Sequence, residues 1–155
     1  MVVTQNIDGL HRAAGTSEDL LVEVHGTGNL VECQTCDHRE PPQPSFDYFK
    51  RERKCPRCEC GGFLKPATIS FGQNLREADL KRAFAAAESC DLVIALGSTL
   101  SVSPANTIPM AAAQAGTPYI IINRDETDHD GLSQVTFRLT GNVEELFPSA
   151  VEDAL

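Results

Sequence analysis

The chain has 155 residues, 41% of them hydrophobic and 23% charged, enough for one globular domain with a core of its own. Its 13 Lys and Arg stand against 22 Asp and Glu, a formal net charge of −9, so the electrostatic footprint of a general nucleic-acid binder is missing and a basic peptide is the better-matched macromolecular partner. No stretch approaches the roughly 20 apolar residues that span a bilayer, and the opening Met1-Val2-Val3-Thr4-Gln5 lacks the basic-then-apolar layout of a secretory signal; a cytoplasmic location with no membrane attachment is the expectation.

In chain order, Val2 to Thr4 reads as the end of a buried strand, and Asp8 to Ala14 as a short helix closed by Gly15, a residue that tolerates the left-handed cap conformation. Leu21 to Val24 is a second strand running into His25-Gly26, which puts that histidine at a strand's carboxyl end. From Cys33 to Cys60 the chain is rich in Cys, Pro and charge and short on regular pattern, as expected of an insertion organised by something other than an apolar core. Ala67 to Phe71 is strand-like, and Arg76 to Cys90 places Leu80, Phe84 and Ala87 at helical spacing. Leu92 to Leu96 is a continuous apolar run ending in Gly97-Ser98-Thr99, followed by a helix with Ser103 as N-cap and Pro104 in its first turn, closed by Gly116. Tyr119 to Ile122 and Val135 to Leu139 are further strands, and Val143 to Leu155 reads as helical with a break near Pro148. Unbroken apolar strands alternating with helices predict a parallel sheet covered on both faces.

Four of the six cysteines fall into two pairs, Cys33-x-x-Cys36 and Cys55-x-x-Cys58, separated by 18 residues. Two thiolates on one tight knuckle reach the same ion, and two knuckles complete a tetrahedron, so this spacing predicts one zinc ion on Cys33, Cys36, Cys55 and Cys58. With all four positions filled, no place remains for a catalytic water and the metal is structural. Buried or redox-active thiols are the competing reading. Cys60 also competes as a ligand, because it precedes Gly61-Gly62, a typical knuckle ending; Cys55 with Cys60 is then the second pair. Cys90 reads as a core residue near a helix end.

Gly97-Ser98-Thr99 follows a buried strand at the crest of a parallel sheet, where open α/β folds bind ligands: glycine admits close backbone approach, and two hydroxyls can donate to phosphate or ribose. The same loop also serves turn geometry alone, and Asn123 carries the same ambiguity between binding a ribose hydroxyl and capping its turn. His25 projects into a cleft or is structural. Asp8, in Gln5-Asn6-Ile7-Asp8, is read from the residues alone as an N-cap.

Taken in order, Thr4-Gln5-Asn6-Ile7-Asp8, His25-Gly26, the cysteine pairs, Phe71-Gly72, Gly97-Ser98-Thr99-Leu100 and Ile122-Asn123 resemble the sirtuins, NAD-dependent protein deacylases, over about Val2 to Gly141. The resemblance implies a Rossmann-like NAD-binding domain, residues 1–32 and 63–155, with a four-cysteine zinc-ribbon insertion at residues 33–62. It implies a transferase that uses NAD as co-substrate, takes an acyl-lysine protein or peptide, and releases nicotinamide, free lysine and O-acyl-ADP-ribose. By the same likeness His25 is the general base that takes a proton from a ribose hydroxyl, a task suited to neutral imidazole near pH 7. Asn6 and Asp8 line the nicotinamide pocket, Gln5 contacts the ribose, Gly97, Ser98 and Thr99 hold ribose and phosphate, Asn123 meets the adenosine ribose, and Asn142 and Val143 touch adenine. Phe71-Gly72 and Ser101-Val102 flank the peptide and add it as a strand.

Two departures accompany the resemblance. Gly97-Ser98-Thr99 stands where the family usually shows Gly-Thr-Ser, and Gln73 where Glu is common. The chain also begins after the strand, the Gly-Ala-Gly-x-Ser loop and the Gly-Ile-Pro-x-Phe-Arg segment with which sirtuins normally open, so it is expected to be N-terminally truncated relative to the family and to bind NAD weakly, with few backbone donors for the diphosphate. A non-catalytic zinc-ribbon and nucleotide-binding module, and an ADP-ribosyltransferase on the same fold, are the alternative functions.

Overall fold

Two short apolar runs, Val2–Thr4 (β1) and Leu21–Glu23 (β2), pair in parallel with Val2 opposite Leu21 and Thr4 opposite Glu23. They open the first of two compact units, Met1–Leu80 and Lys81–Leu155, in a computed structural model that describes residues 1–154. Leu21, Val22 and Val24 are buried, which is what a continuous apolar run does when both faces are covered. The helix between the strands is shorter than the sequence suggests: α1 (Leu10–Ala13) is one turn, preceded by Gly9 in the left-handed region.

After His25 the chain enters an eight-residue strand, Gly26–Cys33 (β3), that pairs antiparallel with Arg39–Glu40 (β4) on one side and Leu64–Thr68 (β5) on the other. The strand expected at Ala67 to Phe71 thus lies three residues earlier. Gly26 is required where it stands: its φ is 74°, and a Cβ there would come within 2.1 Å of the Ala67 carbonyl oxygen. Glu32 on β3 accepts from Arg39 Nε at 2.5 Å and from Arg76 at 2.7 Å. Burial alone would raise its carboxyl, but the Arg39 hydrogen bond and the Arg76 charge hold it below the ordinary range. The cysteine-rich segment is not irregular throughout, because Pro42–Glu52 forms a helix, α2. Pro42 and Pro44 sit in its first turn, where the missing N–H groups have no intrahelical partner to lose.

The second unit is built on Val93–Leu96 (β6), Tyr119–Asn123 (β7) and Phe137–Thr140 (β8), all parallel, in the order β6-β7-β8. The preceding helix α3 (Glu77–Ser89) carries the chain across the boundary between the units, α4 (Thr107–Gln114) joins β6 to β7, and α5 (Val143–Ala154) follows β8. This alternation is the Rossmann-like α/β arrangement. Leu100, Tyr119 and Ile121 form the buried centre, with Val93, Ala95, Met110, Ala113 and Val135 packed against it. Two expected boundaries move. Residues 102–106 form turns rather than the start of α4, held by Asn106 Nδ2 donating to the Leu100 carbonyl at 3.0 Å and Thr107 Oγ1 to the Pro104 carbonyl at 2.7 Å. α5 runs through Pro148 without a break; one missing donor does not end a helix whose Val143, Leu146 and Phe147 are half-buried and which packs on β7. Among the described residues no helix is long and apolar enough to cross a membrane.

Candidate functional site

The strongest local feature is a cluster of four sulfurs on Cys33, Cys36, Cys58 and Cys60, all within 4.8 Å of one another. Cys33 at the end of β3 approaches Cys60 at 3.5 Å, and Cys36 approaches Cys58 at 3.8 Å. Two tight turns present them: the Asp37 N–H bonds the Cys33 carbonyl at 3.1 Å, and the Gly61 N–H bonds the Cys58 carbonyl at 2.8 Å. Three of the cysteines expected from spacing are in the cluster. Cys55 is not among them, and Cys60 supplies the fourth sulfur. The second turn closes on Gly61-Gly62 and brings in Cys58 and Cys60, a C-x-C pair with only Glu59 between them, rather than the C-x-x-C pair of the spacing. Gly62 sits against the cluster, where a Cβ would fall 2.6 Å from Cys33 Sγ.

Four sulfurs about 2.3 Å from a tetrahedral Zn²⁺ stand about 3.8 Å apart; the Cys33–Cys60 and Cys36–Cys58 separations lie close to that, and all four sulfurs are within 4.8 Å of one another. The electrostatics match too. The Thr35 N–H donated to Cys33 Sγ, together with the Cys36 N–H and the Cys60 thiol, lowers the Cys33 thiol to about 6 against the burial that would raise it. The His38 N–H lowers the Cys36 thiol, but Cys60, Cys33 and burial raise it by more and push it to about 12. Sulfurs this close do not all ionise without a cation, and a divalent ion with soft-ligand affinity is the group that completes the set.

His25 lies between β2 and β3, half-buried, its carbonyl accepting from the Ile69 N–H at 2.8 Å. Its ring Nδ1 is 3.1 Å from the Gln5 carbonyl oxygen. A carbonyl only accepts, so Nδ1 carries the proton and the neutral ring presents Nε2 as an acceptor. Gln5 and His25, 20 residues apart, are thus brought together. Asn6 is exposed, its N–H bonded to Thr4 Oγ1 at 3.1 Å. Asp8 is exposed and is not the N-cap of α1, which is Gly9; its Oδ1 accepts from the Leu10 N–H at 2.9 Å in an Asx-type turn just before the helix. Phe71 is 97% exposed in the Ser70–Gln73 turn, where Gly72 has a φ of 84°.

In the second unit the candidate residues collect at the carboxyl ends of parallel strands. Gly97 follows β6, has a φ of 59°, is exposed, and donates its N–H to the Ile122 carbonyl at 3.0 Å; the nearest atom to a Cβ built there is Val143 Cγ2 at 3.6 Å. Ser98 Oγ accepts from the Leu100 N–H at 3.1 Å, and the Thr99 and Ser101 hydroxyls, both on exposed residues, bond each other at 2.8 Å. This bare glycine followed by hydroxyls at the crest of a parallel sheet suits a ribose phosphate. Asn123 is buried and donates Nδ2 to the Asp125 carbonyl at 2.8 Å, so that N–H serves its own turn. Asn142 Nδ2 bonds Glu145 Oε1 at 3.0 Å at the start of α5, and Val102 is half-buried.

A buried polar group escaped the sequence reading. His129, 6% exposed, lies 3.0 Å from the Tyr119 hydroxyl through Nδ1, with the rings edge to face. Burial pushes its pKa down and pushes that of Tyr119 up, with the Asp130 charge adding to the rise. Next to it Asp130 accepts from Thr127 at 2.7 Å and from Arg138 at 2.9 Å, and Arg138 also donates to the Asn123 carbonyl at 2.8 Å, which ties the loop after β7 to β8. Only the Asp-rich composition of residues 125–130 hinted at it.

Residues 1–104 match the model of the Sir2 family. The NAD-dependent protein deacetylase of Haloarcula marismortui is 38% identical over 152 residues, covering 97% of this chain and 57% of the relative. NAD-dependent protein deacetylase 1 of Geobacillus kaustophilus is 41% identical over 132 residues, covering 85% and 51%. Among solved structures, Sir2Tm bound to a propionylated peptide superposes with a TM-score of 0.88 at 29% identity, covering 99% of this chain and 63% of that one. A Sir2 complex with a p53 peptide and NAD+ gives 0.88 at 29%, covering 99% and 62%. The chain belongs to the Sir2 family. It spans about half the length of the curated relatives it matches.

Proposed function

We propose that this chain is an NAD-dependent protein-lysine deacetylase of the cytoplasm, acting on acyl-lysine proteins or peptides, with one structural zinc on Cys33, Cys36, Cys58 and Cys60. The observation that carries the reading is the Gln5 carbonyl on His25 Nδ1, which leaves Nε2 as the acceptor a general base needs. Backbone geometry enforces that tautomer, so it does not depend on a second ionisable side chain. Gln5, Asn6 and Asp8 on one segment, and Gly97, Ser98, Thr99, Asn123, Asn142 and Val143 on others, are the residues assigned to NAD. When bound, NAD supplies an electrophilic ribose carbon and nicotinamide as leaving group. His25 holds the abstracted proton at Nε2, while the Thr99 hydroxyl, now bonded to that of Ser101, exchanges that bond for the ribose or phosphate. The main chain at Phe71-Gly72 and Ser101-Val102 is assigned to the peptide, where strand-like pairing gives affinity without strict sequence demands.

The test is mass spectrometry of an acetyl-lysine peptide incubated with the zinc-loaded chain, with and without NAD, beside His25→Ala. Deacetylation that requires both NAD and His25 is the expected outcome. ADP-ribose left on protein instead would replace the deacetylase with an ADP-ribosyltransferase, and binding of ADP-ribose without turnover in either form would reduce the chain to a binding module.

A further inference from the structure

We propose that the outer face of α2 and the segment that follows it is a docking surface for a short acidic segment of a partner protein. Residues 50–57 hold five basic side chains against one acidic one, in a chain of net charge −9. Elsewhere in the same unit the cations are engaged: Arg12 with Glu18 and Glu23, Arg39 and Arg76 with Glu32, Lys65 with backbone carbonyls. The side chains of Lys50, Arg53 and Lys54 have no ion-pair or hydrogen-bond partner among the described residues and are exposed. Interaction with the helix dipole accounts for basic residues in the last turn of α2, but Arg53 and Lys54 lie beyond it.

Apolar surface adjoins the charge. Phe46, Tyr48, Phe49 and Phe63 are all more than a third exposed, and α2 buries only Ser45. An open cleft of about 490 Å³ is lined by Tyr48, Lys54, Cys55, Arg57 and Phe63. Its rim is set: the Arg57 guanidinium lies 4.0 Å over the Phe63 ring and donates to the Gly61 carbonyl at 2.7 Å. A ligand that satisfies this surface carries carboxylates for the three free cations and an apolar side chain for the cleft.

Charge and length decide against nucleic acid. A duplex or long single strand is a continuous polyanion that extends past this patch and meets a chain otherwise strongly acidic. One face of the Phe63 ring is already taken by the Arg57 guanidinium, and Arg51 lies 5.9 Å from the Tyr48 ring, which leaves less aromatic surface on which bases would stack. A short acidic peptide is confined to the patch.

The test is fluorescence anisotropy of the zinc-loaded chain with a labelled peptide of Asp and Glu bearing one central Phe. A Phe→Ala peptide, an uncharged Gly/Ser peptide and an oligothymidylate of equal charge are run beside it. Lys50→Gln/Arg53→Asn/Lys54→Gln is the variant, with Asn chosen at 53 because that residue has a φ of 56°. Zinc content and circular dichroism confirm its fold, and Arg124→Gln controls for a lost charge elsewhere. Binding of the acidic Phe peptide that weakens with salt, and that drops about tenfold in the triple variant but not in the control, is expected. No binding, binding unchanged in the triple variant, or tighter binding of the oligothymidylate overturns the proposal. The peptide contains no lysine, so this outcome and that of the deacetylation assay are independent.

Discussion

The two units solve the problem of holding a chain together by different means. Around the cysteine cluster the buried apolar group is small, Val31, Cys33 and Leu64 with Cys58 against it, and much of α2 stays exposed. In the second unit Leu100, Tyr119 and Ile121 anchor a continuous core beneath a parallel sheet. The first region delegates to four thiols what the second obtains from burial, and each is vulnerable to a different insult. No Trp is present, but one tyrosine lies in each region, Tyr48 on α2 and Tyr119 on β7, so their ring resonances report the two separately.

Metal removal separates them most sharply. Structural zinc contributes roughly 10–16 kcal/mol of apparent binding free energy in small zinc modules, so chelation is expected to collapse the Tyr48 environment and leave Tyr119 native. Within the same experiment Cys60→Ser lowers zinc affinity more than roughly 100-fold, whereas Cys55→Ser retains one zinc per chain; a metal stoichiometry lost with Cys55 and kept without Cys60 would restore the spacing-based assignment. The complementary insult is Ile121→Ala. Ile121 is fully buried, and the change costs about 2–5 kcal/mol at the second unit while zinc content is untouched. Equal loss of both tyrosine signals would dissolve the distinction between the regions. The smallest effect is titration. Burial depresses His129 below its ordinary value near 6.5, against the opposing charges of Asp128 and Asp130. The unfolded chain therefore takes up that proton first, so this part of the second unit's stability is complete above about 6.5 and is lost as pH falls below it. Asp130, lowered chiefly by the Thr127 hydrogen bond, adds a second loss below the ordinary carboxylate range near 3.8. Stability against pH, followed through Tyr119, should lose its fall below about 6.5 in His129→Asn; an unchanged profile removes His129 from the account.

What could be read in advance follows the same division. β6 and β7 are unbroken apolar runs, and their membership of a parallel sheet and the placement of Gly97-Ser98-Thr99 at a strand end were legible from pattern alone. β3 was not, because Gly26, Gly28 and Asn29 interrupt its alternation and its partner lies beyond the cysteines. α2 was hidden by its prolines and by aromatic residues set side by side rather than on one stripe. Cys60 shows the limit of spacing rules: the Gly61-Gly62 signal beside it was visible, but only the fold tells which thiol the turn brings inward. The His25 to Gln5 bond and the Tyr119 to His129 pair join residues that no local pattern links.

The register of β3 on β5 has one more consequence. Cys33 faces Leu64 across the ladder, so the chain leaves for the metal lobe and returns to it at neighbouring points of backbone. Such an excursion is a cassette: its length, helix content and surface can be exchanged while the two strands at its neck stay where they are. Evolution and protein engineers alike are free to rewrite what lies between, provided that the neck is conserved in geometry and the turns still deliver four sulfurs.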